Sequence, residues 1–203
     1  SDDVLDAALN DSTAAGLPAI NVTPAQGKFL ALLAQLCRAR RILEIGTLGG
    51  YSTIWMARAL PIDGRLITLE IDPRAAAVAK ANLERAGVAN RVQVVIGRAA
   101  ESLARLISDK VQPFDLVFID ADKQNSTVYF EATLALSHAG TVIIVDNVVR
   151  EGAIIDAFSA DTNVLGMRQL TEWLGGEPRL SATAIQTVGS KGYDGFIMAL
   201  VKP

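Results

Sequence analysis

The sequence predicts an α/β fold with a mainly parallel, doubly wound sheet that closes in an antiparallel hairpin. Short apolar runs rich in Ile, Val and Leu alternate with segments of helical spacing along the 203 residues. Runs that are apolar at consecutive positions indicate strands covered on both faces, as in parallel sheets. The last two runs are separated only by a glycine-rich turn, which predicts the hairpin. The seven predicted strands are 41–45, 65–71, 91–96, 114–120, 140–146, 181–188 and 195–201.

Residues with strong positional preferences mark the ends of two predicted helices. Thr23 is placed to cap one helix and Pro24 to open it, because serine and threonine favour the cap and proline the first turn. A later helix has Asp72 at its cap and Gly87 as its stop. The first helix is predicted from apolar residues at i, i+3, i+4 and i+7 spacing, which are Phe29, Leu32, Leu33 and Leu36.

Composition limits the possible partners. The formal net charge is -3 and the 19 Lys and Arg residues are scattered, so no basic stripe for nucleic acid is predicted. The apolar runs are far shorter than the roughly 20 residues of a membrane span. One cysteine excludes a disulfide framework and fits a reducing compartment. We expect a cytoplasmic protein with a small-molecule partner, built as one domain over residues 1–203 with N-terminal helices or a lid in 1–40.

The carboxyl ends of the predicted strands define where a ligand should bind, because parallel α/β sheets hold ligands at that edge. His138 and Cys37 precede strands and are expected at the opposite edge, which disfavours Ser/His or Cys/His nucleophilic catalysis. They are interpreted as a turn histidine and a core cysteine. The residues expected at the ligand edge are Glu44, Glu70, Gly97 to Ala100, Asp120 to Lys123, Asp146 and Asn147.

The segment "LEIGTLGGYS" (43–52) predicts a glycine loop between a strand and a helix. Its Gly-x-x-Gly-Gly spacing places Leu48 where a dinucleotide-binding loop needs its second glycine, and no Gly-Lys-Ser/Thr follows. With Glu44 and Glu70 ending the first two strands, the pattern favours a nucleoside ligand without a phosphate chain. A tight turn without a ligand is the alternative.

Five segments, "NVTPAQGKFL", "LEIGTLGGYS", "ITLEID", "FDLVFIDADK" and "GTVIIVDNVVR", together resemble the cation-dependent small-molecule O-methyltransferases. This is the catechol and caffeoyl-CoA O-methyltransferase family, and the resemblance is strongest to its bacterial members. It runs from about Leu17 to the C-terminus. It implies a single-domain, Rossmann-like SAM-dependent methyltransferase fold with a seven-stranded sheet, S-adenosylmethionine (SAM) as the nucleoside, and a homodimer.

The resemblance also implies which residues bind SAM. Glu70 would hold the ribose hydroxyls, and Ile71 and Ala99 would flank the adenine. For Val22 and Ile71 a place in the core is an equal alternative. Asp120 is assigned to both the cofactor and the metal. The residues expected to line the methionine side of SAM are Val22, Glu44, Gly46, Thr47 and Ser52.

Three oxygen-bearing side chains predict a metal site. Asp120 ends the fourth strand, while Asp146 and Asn147 end the fifth, so all three are expected at one edge. Oxygen ligands suit Mg²⁺ or another hard divalent cation, and three of them leave positions for water and substrate. Singly, Asp120 is also a possible helix cap and Asn147 a turn former. The resemblance implies that these are the metal ligands, that Lys123 is the catalytic base, and that the acceptor is a catechol; the alternative for Lys123 is a solvated helix lysine.

Several neighbouring residues bear on the substrate. Asp122 is interpreted as a helix cap, and Ser126 stands where plant caffeoyl-CoA enzymes usually carry tyrosine, which argues against a CoA-thioester substrate. Arg150 and Tyr193 are candidate acceptor contacts, with surface and packing roles as alternatives. The segments expected to border the acceptor are 18–21, 148–155 and 189–196.

Three rival functions remain open from the sequence. A nicotinamide oxidoreductase would share the fold class but is disfavoured by the glycine spacing. A SAM-binding protein with a non-catechol acceptor or without catalysis would not need the three oxygen ligands or Lys123. A macromolecular methyltransferase is disfavoured by the lack of a basic run.

Overall fold

The computed structural model describes residues 2–189 and 192–203. The chain forms two compact units, of which the first ends at Ser102 and the second begins at Leu103. Helix α5 (Ala99–Ser108) starts in the first and ends in the second. None of the helices in the described ranges is long and apolar enough to cross a membrane.

The first unit contains a three-stranded parallel sheet. Its order is β3-β2-β1, with Leu43 of β1 paired to Ile67 of β2 and Thr68 of β2 paired to Val94 of β3. Strands β1 and β2 are buried along almost their whole length, as predicted for strands covered on both faces, but β3 is half exposed. Its elements are α1 (Asp3–Ala14), α2 (Pro24–Leu36), β1 (Arg41–Ile45), α3 (Tyr51–Ala59), β2 (Arg65–Glu70), α4 (Pro73–Arg85), a 3-10 turn (Ala89–Arg91) and β3 (Val92–Ile96).

The second unit contains four strands in the order β4-β5-β7-β6. Strands β4 and β5 are parallel, whereas β7 is antiparallel to both β5 and β6, which confirms the predicted hairpin. The two units together hold the seven predicted strands. Ser190 and Lys191, in the predicted glycine-rich turn, lie outside the described residues. The elements are β4 (Phe114–Ile119), a 3-10 helix (Lys123–Asn125), α6 (Ser126–Ala135), β5 (Ser137–Asp146), a 3-10 helix (Arg150–Ile155), α7 (Thr162–Gly175), β6 (Leu180–Gly189) and β7 (Gly192–Val201).

The predicted helix boundaries are confirmed. The Thr23 hydroxyl accepts a hydrogen bond from the Gln26 amide, and the Gln26 side chain accepts one from the Thr23 amide, so α2 begins with a complete capping box. Asp72 caps α4 by accepting from the Arg74 amide at 2.8 Å. Gly87, at φ +68°, follows the end of that helix in the left-handed conformation that glycine favours.

The apolar spacing that predicted α2 correctly indicates a helix but does not mark its buried face. Leu33 is buried, but Leu32 and Leu36 are 44% and 78% exposed. The helix instead buries a face of smaller residues, because it packs against α3: a Cβ added at Gly27 would lie 2.3 Å from the Trp55 ring. Apolar spacing indicated a helix but did not show which side would meet a neighbour. The buried residues are Gly27, Leu30, Ala31, Leu33 and Ala34.

Cys37 precedes β1, as predicted, but His138 does not precede a strand: it is the second residue of β5, which begins at Ser137. The His138 ring lies beside the start of β4, where its Nε2 is 2.9 Å from Asp115 Oδ1 and its Nδ1 is 2.7 Å from the Ala139 carbonyl oxygen. Cys37 is not a core residue: it is half exposed as the C-cap of α2. Neither residue lies at the carboxyl end of a strand.

The His138 contact predicts a pH-dependent contribution to stability. The hydrogen bonds to Ala139 and Asp115 raise the pKa of His138 above its usual value of 6.5. The folded state therefore binds the proton more tightly, so this stabilisation is complete below the unfolded pKa and is lost as the pH rises through the folded pKa. We expect His138→Gln to lower the melting temperature at about pH 5.5 but not at about pH 8.5. Equal decreases in melting temperature at both pH values, measured by circular dichroism, would contradict this prediction. The control is Lys80→Gln, at an exposed lysine of α4.

Candidate active site

The glycine loop after β1 is a strained turn that packs against two helices. Gly46, Leu48 and Gly50 have φ of +100°, +49° and +83°. A Cβ at Gly49 would lie 1.9 Å from the Ser12 hydroxyl of α1, and one at Gly50 would lie 3.3 Å from Ala79 of α4. The glycines therefore allow close helix packing as well as any close approach of a ligand.

Glu70 holds the glycine loop in place. One carboxylate oxygen accepts hydrogen bonds from the amides of Thr47 and Leu48, at 3.1 and 2.8 Å. The other accepts from the Asp72 amide at 2.9 Å. Glu70, which is predicted to bind a ribose, thus also connects the glycine loop to the end of β2. The sequence did not predict this second role.

Glu44 is fully buried next to the glycine loop. It is 0% exposed, and its two oxygens accept from the hydroxyls of Ser52 and Thr53 at 2.6 and 2.5 Å. Both donors are in the first turn of α3, where a carboxylate also interacts favourably with the helix dipole. Glu44 therefore fixes the start of α3 and the orientation of Ser52.

The other predicted SAM residues of the first unit differ in exposure. Val22 is buried and Ile71 is 66% exposed, so a core place fits Val22 but not Ile71. Thr47 is buried with its hydroxyl 2.5 Å from that of Thr68. Ala99 is half exposed at the start of α5. An exposed apolar side chain directly after Glu70 is suited to cover one face of a planar ring.

The second unit brings two of the predicted metal ligands to neighbouring strand ends. Ile119 pairs with Val145, so Asp120 and Asp146 follow at the same end of adjacent parallel strands. Asp146 is only 4% exposed. Burial, followed by the negative charge of Asp120, raises the pKa of Asp146 from 3.8 to about 7. Asn147 follows directly, with φ +56° and its amide donating to Asp146 at 2.9 Å.

This donor set fits a hard divalent cation. The buried Asp146 carboxylate and the partly exposed Asp120 carboxylate repel one another, and a cation would remove that repulsion. Within the described part of the chain, no group of three or more His, Cys, Asp and Glu residues is arranged to hold a metal. The predicted ligand set is not such a group, because only two of its members, Asp120 and Asp146, are acidic and the third is Asn147.

Lys123 is buried beside these acids. Its side chain is 8% exposed, and its Nζ donates to Asp120 Oδ1 at 3.2 Å. The alternative of a solvated lysine is therefore wrong. Its backbone is fixed by α7, because a Cβ at Gly166 would lie 2.3 Å from the Lys123 carbonyl oxygen. The Lys123 side chain is thus held next to Asp120.

Asp122 is not a side-chain helix cap, contrary to the prediction. It precedes the 3-10 helix without a capping hydrogen bond. Its carboxylate accepts instead from the side chains of Asn125 and Tyr129, the latter at 2.6 Å, because a turn of 3-10 helix intervenes before α6. Ser126 is buried, and its hydroxyl has no hydrogen-bond partner among the described residues.

The loop after Asn147 is held by the start of β7. Tyr193, a candidate acceptor contact, donates its hydroxyl to the Glu151 carbonyl. Arg150 is half exposed, with its Nε enclosed and without a partner in the described ranges. Asp194 accepts from the amides of Val149 and Arg150. Sequence reasoning missed Asp194; the only signal was an Asp-Gly pair at the start of a strand.

Comparison with known proteins decides the family. The family model for O-methyltransferases matches residues 2–200. The chain belongs to the O-methyltransferase family. A catechol O-methyltransferase from Niastella koreensis is 54% identical to this O-methyltransferase over 201 residues, covering 99% of this chain and 91% of that protein. One from Mycobacterium tuberculosis is 54% identical over 99% of this chain and 90% of its own length.

Solved structures agree with this family. The Bacillus cereus O-methyltransferase in complex with SAH matches with a TM-score of 0.98 and 57% identity, covering 100% of this chain and 92% of that chain. TomG from Streptomyces achromogenes, in complex with SAM, matches with a TM-score of 0.96 and 49% identity, covering 100% and 91%. The predicted SAM-methyltransferase fold is confirmed, and the protein is a SAM-dependent O-methyltransferase.

Proposed function

We propose that this enzyme transfers the SAM methyl group to one hydroxyl of a small catechol in a reaction that depends on a divalent cation. The observation that carries the proposal is the pair Asp120 and Asp146 at adjacent strand ends, one of them buried with a pKa raised to about 7. Burying an ionised carboxylate lowers the stability of the folded state, and a carboxylate kept in such a place commonly marks a functional site. The two relatives named catechol O-methyltransferase support the acceptor class.

We assign SAM binding mainly to the carboxyl ends of the first unit's strands and the loops that follow them. Gly46, Thr47 and Ser52 would meet the methionine portion, Glu70 the ribose, and Ile71 and Ala99 the adenine. Glu44 is wholly enclosed and accepts from the Ser52 and Thr53 hydroxyls, so we assign it a supporting position. Val22 is buried to the same degree as Thr47 and Ser52 and stays assigned to the methionine side. Asp120 remains assigned to both cofactor and cation. SAM supplies the electrophilic methyl group on its sulfonium, and the residues named here determine its orientation.

We assign Asp120, Asp146 and Asn147 as the cation ligands, with Mg²⁺ as the probe of choice. A bound divalent cation would supply Lewis-acid stabilisation of a deprotonating hydroxyl. Asp146 must lose its proton to act as a ligand, so cation affinity should fall as the pH drops below about 7. Lys123, fixed against Asp120, is assigned to accept the proton of the attacking hydroxyl, a step that requires its neutral amine form.

The first experiment measures methyl transfer from labelled SAM to 3,4-dihydroxybenzoate, with Mg²⁺ and then with excess EDTA. We expect transfer that EDTA stops and added Mg²⁺ restores. 3-Hydroxybenzoate is the matched acceptor, since it lacks the second vicinal oxygen and should not be methylated. Transfer that is insensitive to EDTA would contradict cation dependence, and absence of transfer to any diphenol would contradict the acceptor class.

A non-catechol small acceptor is the second candidate, because the buried Ser126 and the enclosed Arg150 Nε leave polar atoms without partners in the described residues. The nicotinamide and non-catalytic interpretations are set aside by the family assignment. A cytoplasmic location, a homodimer and the absence of nucleic-acid or membrane partners stay predictions from the sequence. The single-domain boundary, with its N-terminal lid, also stays a prediction.

A further inference from the structure

The segment Asn147–Gly152 (the post-metal loop) adopts an unusual backbone. Asn147, Arg150, Glu151 and Gly152 have φ of +56°, +54°, +54° and +88°. Three of these four are not glycine, and such residues persist in this conformation only where their surroundings impose it. The loop begins at a proposed cation ligand, so whatever imposes its shape also fixes that ligand.

The start of β7 supplies the hydrogen bonds that impose this shape. One oxygen of Asp194, Oδ1, accepts from the amides of Val149, Arg150 and Gly195, each at 2.9 Å. The Val148 amide donates to the Gly195 carbonyl at 3.1 Å. Three consecutive loop amides are therefore bound by two neighbouring residues of β7.

Close packing adds to this attachment. A Cβ at Gly195 would lie 2.6 Å from Val149 Cγ2 and 2.5 Å from the Ile185 carbonyl oxygen, so only glycine lets the loop approach this strand. A Cβ at Gly152 would lie 2.6 Å from the Tyr193 hydroxyl, which itself donates to the Glu151 carbonyl. Tyr193, Asp194 and Gly195 thus hold the loop from Val148 to Gly152.

We propose that Asp194 is a positioning residue that fixes the post-metal loop, and with it Asn147, in the geometry that binds the cation and orients the acceptor. Asp194 acts through backbone amides and touches neither ligand in this assignment. The inference rests on the proposed function for its kinetic consequence only, because the loop geometry and cation affinity can be measured without catalysis. Losing a residue that orients a metal ligand typically weakens metal binding about 10- to 100-fold.

The first test is amide hydrogen exchange in Asp194→Ala and Asp194→Asn. Asparagine keeps an oxygen that accepts the loop amides but lacks the charge. We expect the amides of Val149 and Arg150 to exchange at least about tenfold faster in Asp194→Ala, and within about threefold of wild type in Asp194→Asn. Asp109→Ala, at an exposed turn of the same unit, is the control. Unchanged exchange in Asp194→Ala would overturn the proposal; if that variant does not fold, Asp194→Ser, too short to reach the amides, replaces it.

The second test measures Mn²⁺ affinity by electron paramagnetic resonance and the kinetics with 3,4-dihydroxybenzoate. We expect Asp194→Ala to weaken Mn²⁺ binding about tenfold or more and to raise the acceptor KM more than it lowers kcat, with SAH affinity within about threefold. Asp194→Asn should restore both values. An asparagine variant as impaired as the alanine variant would overturn the proposal, because charge rather than hydrogen bonding would then be responsible.

The two proposals fail separately. If wild type transfers no methyl group to a catechol, yet exchange and Mn²⁺ binding respond as expected, the proposed acceptor is wrong and the role of Asp194 stands. If wild type shows EDTA-sensitive transfer but Asp194→Ala leaves Mn²⁺ affinity unchanged, the role of Asp194 is wrong and the proposed function stands.

Discussion

Replacing Asp146 with asparagine is expected to abolish methyl transfer while making the cation-free protein more stable above pH 7. The carboxylate is almost fully buried, and desolvation and Asp120 raise its pKa to about 7. Asparagine keeps the shape and an oxygen that accepts from the Asn147 amide, but it carries no charge. Cation affinity, and with it activity, should fall by at least about 100-fold, because a neutral amide replaces an anionic ligand.

The stability gain has a defined pH dependence. The folded pKa of Asp146 is raised from 3.8 to about 7, so burial of the group costs nothing below the unfolded pKa. The cost grows as the pH rises from there and is complete above the folded pKa. A difference of about three pKa units corresponds to about 4 kcal/mol, which we take as the upper limit. Urea unfolding of wild type and Asp146→Asn in EDTA, at about pH 4 and pH 8, measures it.

The matched control is Asp156→Asn, at an exposed aspartate whose side chain accepts from the Phe158 amide at 2.9 Å. Its stability should not differ from wild type at either pH. Adding Mg²⁺ at pH 8 should stabilise wild type but not Asp146→Asn, since a ligand stabilises only the state that binds it. An Asp146→Asn protein that is less stable than wild type at pH 8 would show that the ionised carboxylate is favourably paired without a cation.

Replacing Lys123 with methionine is expected to lower kcat by about 100- to 10,000-fold, the range typical of a lost general base. Methionine fills a similar volume in the buried site but cannot accept a proton. SAM affinity should stay within about threefold. Mn²⁺ affinity should not fall, because the Lys123 Nζ is a hydrogen-bond partner of Asp120 Oδ1 and its removal frees that oxygen.

The test combines single-turnover methyl transfer with a pH–rate profile. At Mg²⁺ concentrations that saturate the site throughout the pH range, wild type should lose rate as the pH falls, and Lys123→Met should lack that limb. Lys80→Met, an exposed lysine of α4, is the control for removal of one positive charge. An unchanged pH profile in Lys123→Met would exclude Lys123 as the base, and a parallel loss of Mn²⁺ binding would indicate a structural part in the cation site.

Local residue chemistry determined much of this protein without tertiary information. Strand positions, the Thr23 and Asp72 caps, the C-terminal hairpin and the strand-end locations of Glu70, Asp120 and Asp146 follow from apolar runs and from side chains that satisfy nearby backbone groups. The order of motifs also identified the family. These features depend on contacts within a few residues, which the sequence records directly.

Only the tertiary structure decided which groups meet across the sequence. Leu32 and Leu36 share the spacing of buried residues yet are exposed, because Gly27 and the small residues beside it give α3 a closer approach. Glu70 holds the loop at Thr47, and Asp194 binds amides more than 40 residues earlier in the chain. Burial raises the pKa of Asp146 only once β4 and β5 pair. Such effects depend on a low local dielectric and on distances between groups that are set by packing. Neither quantity can be read directly from the order of residues.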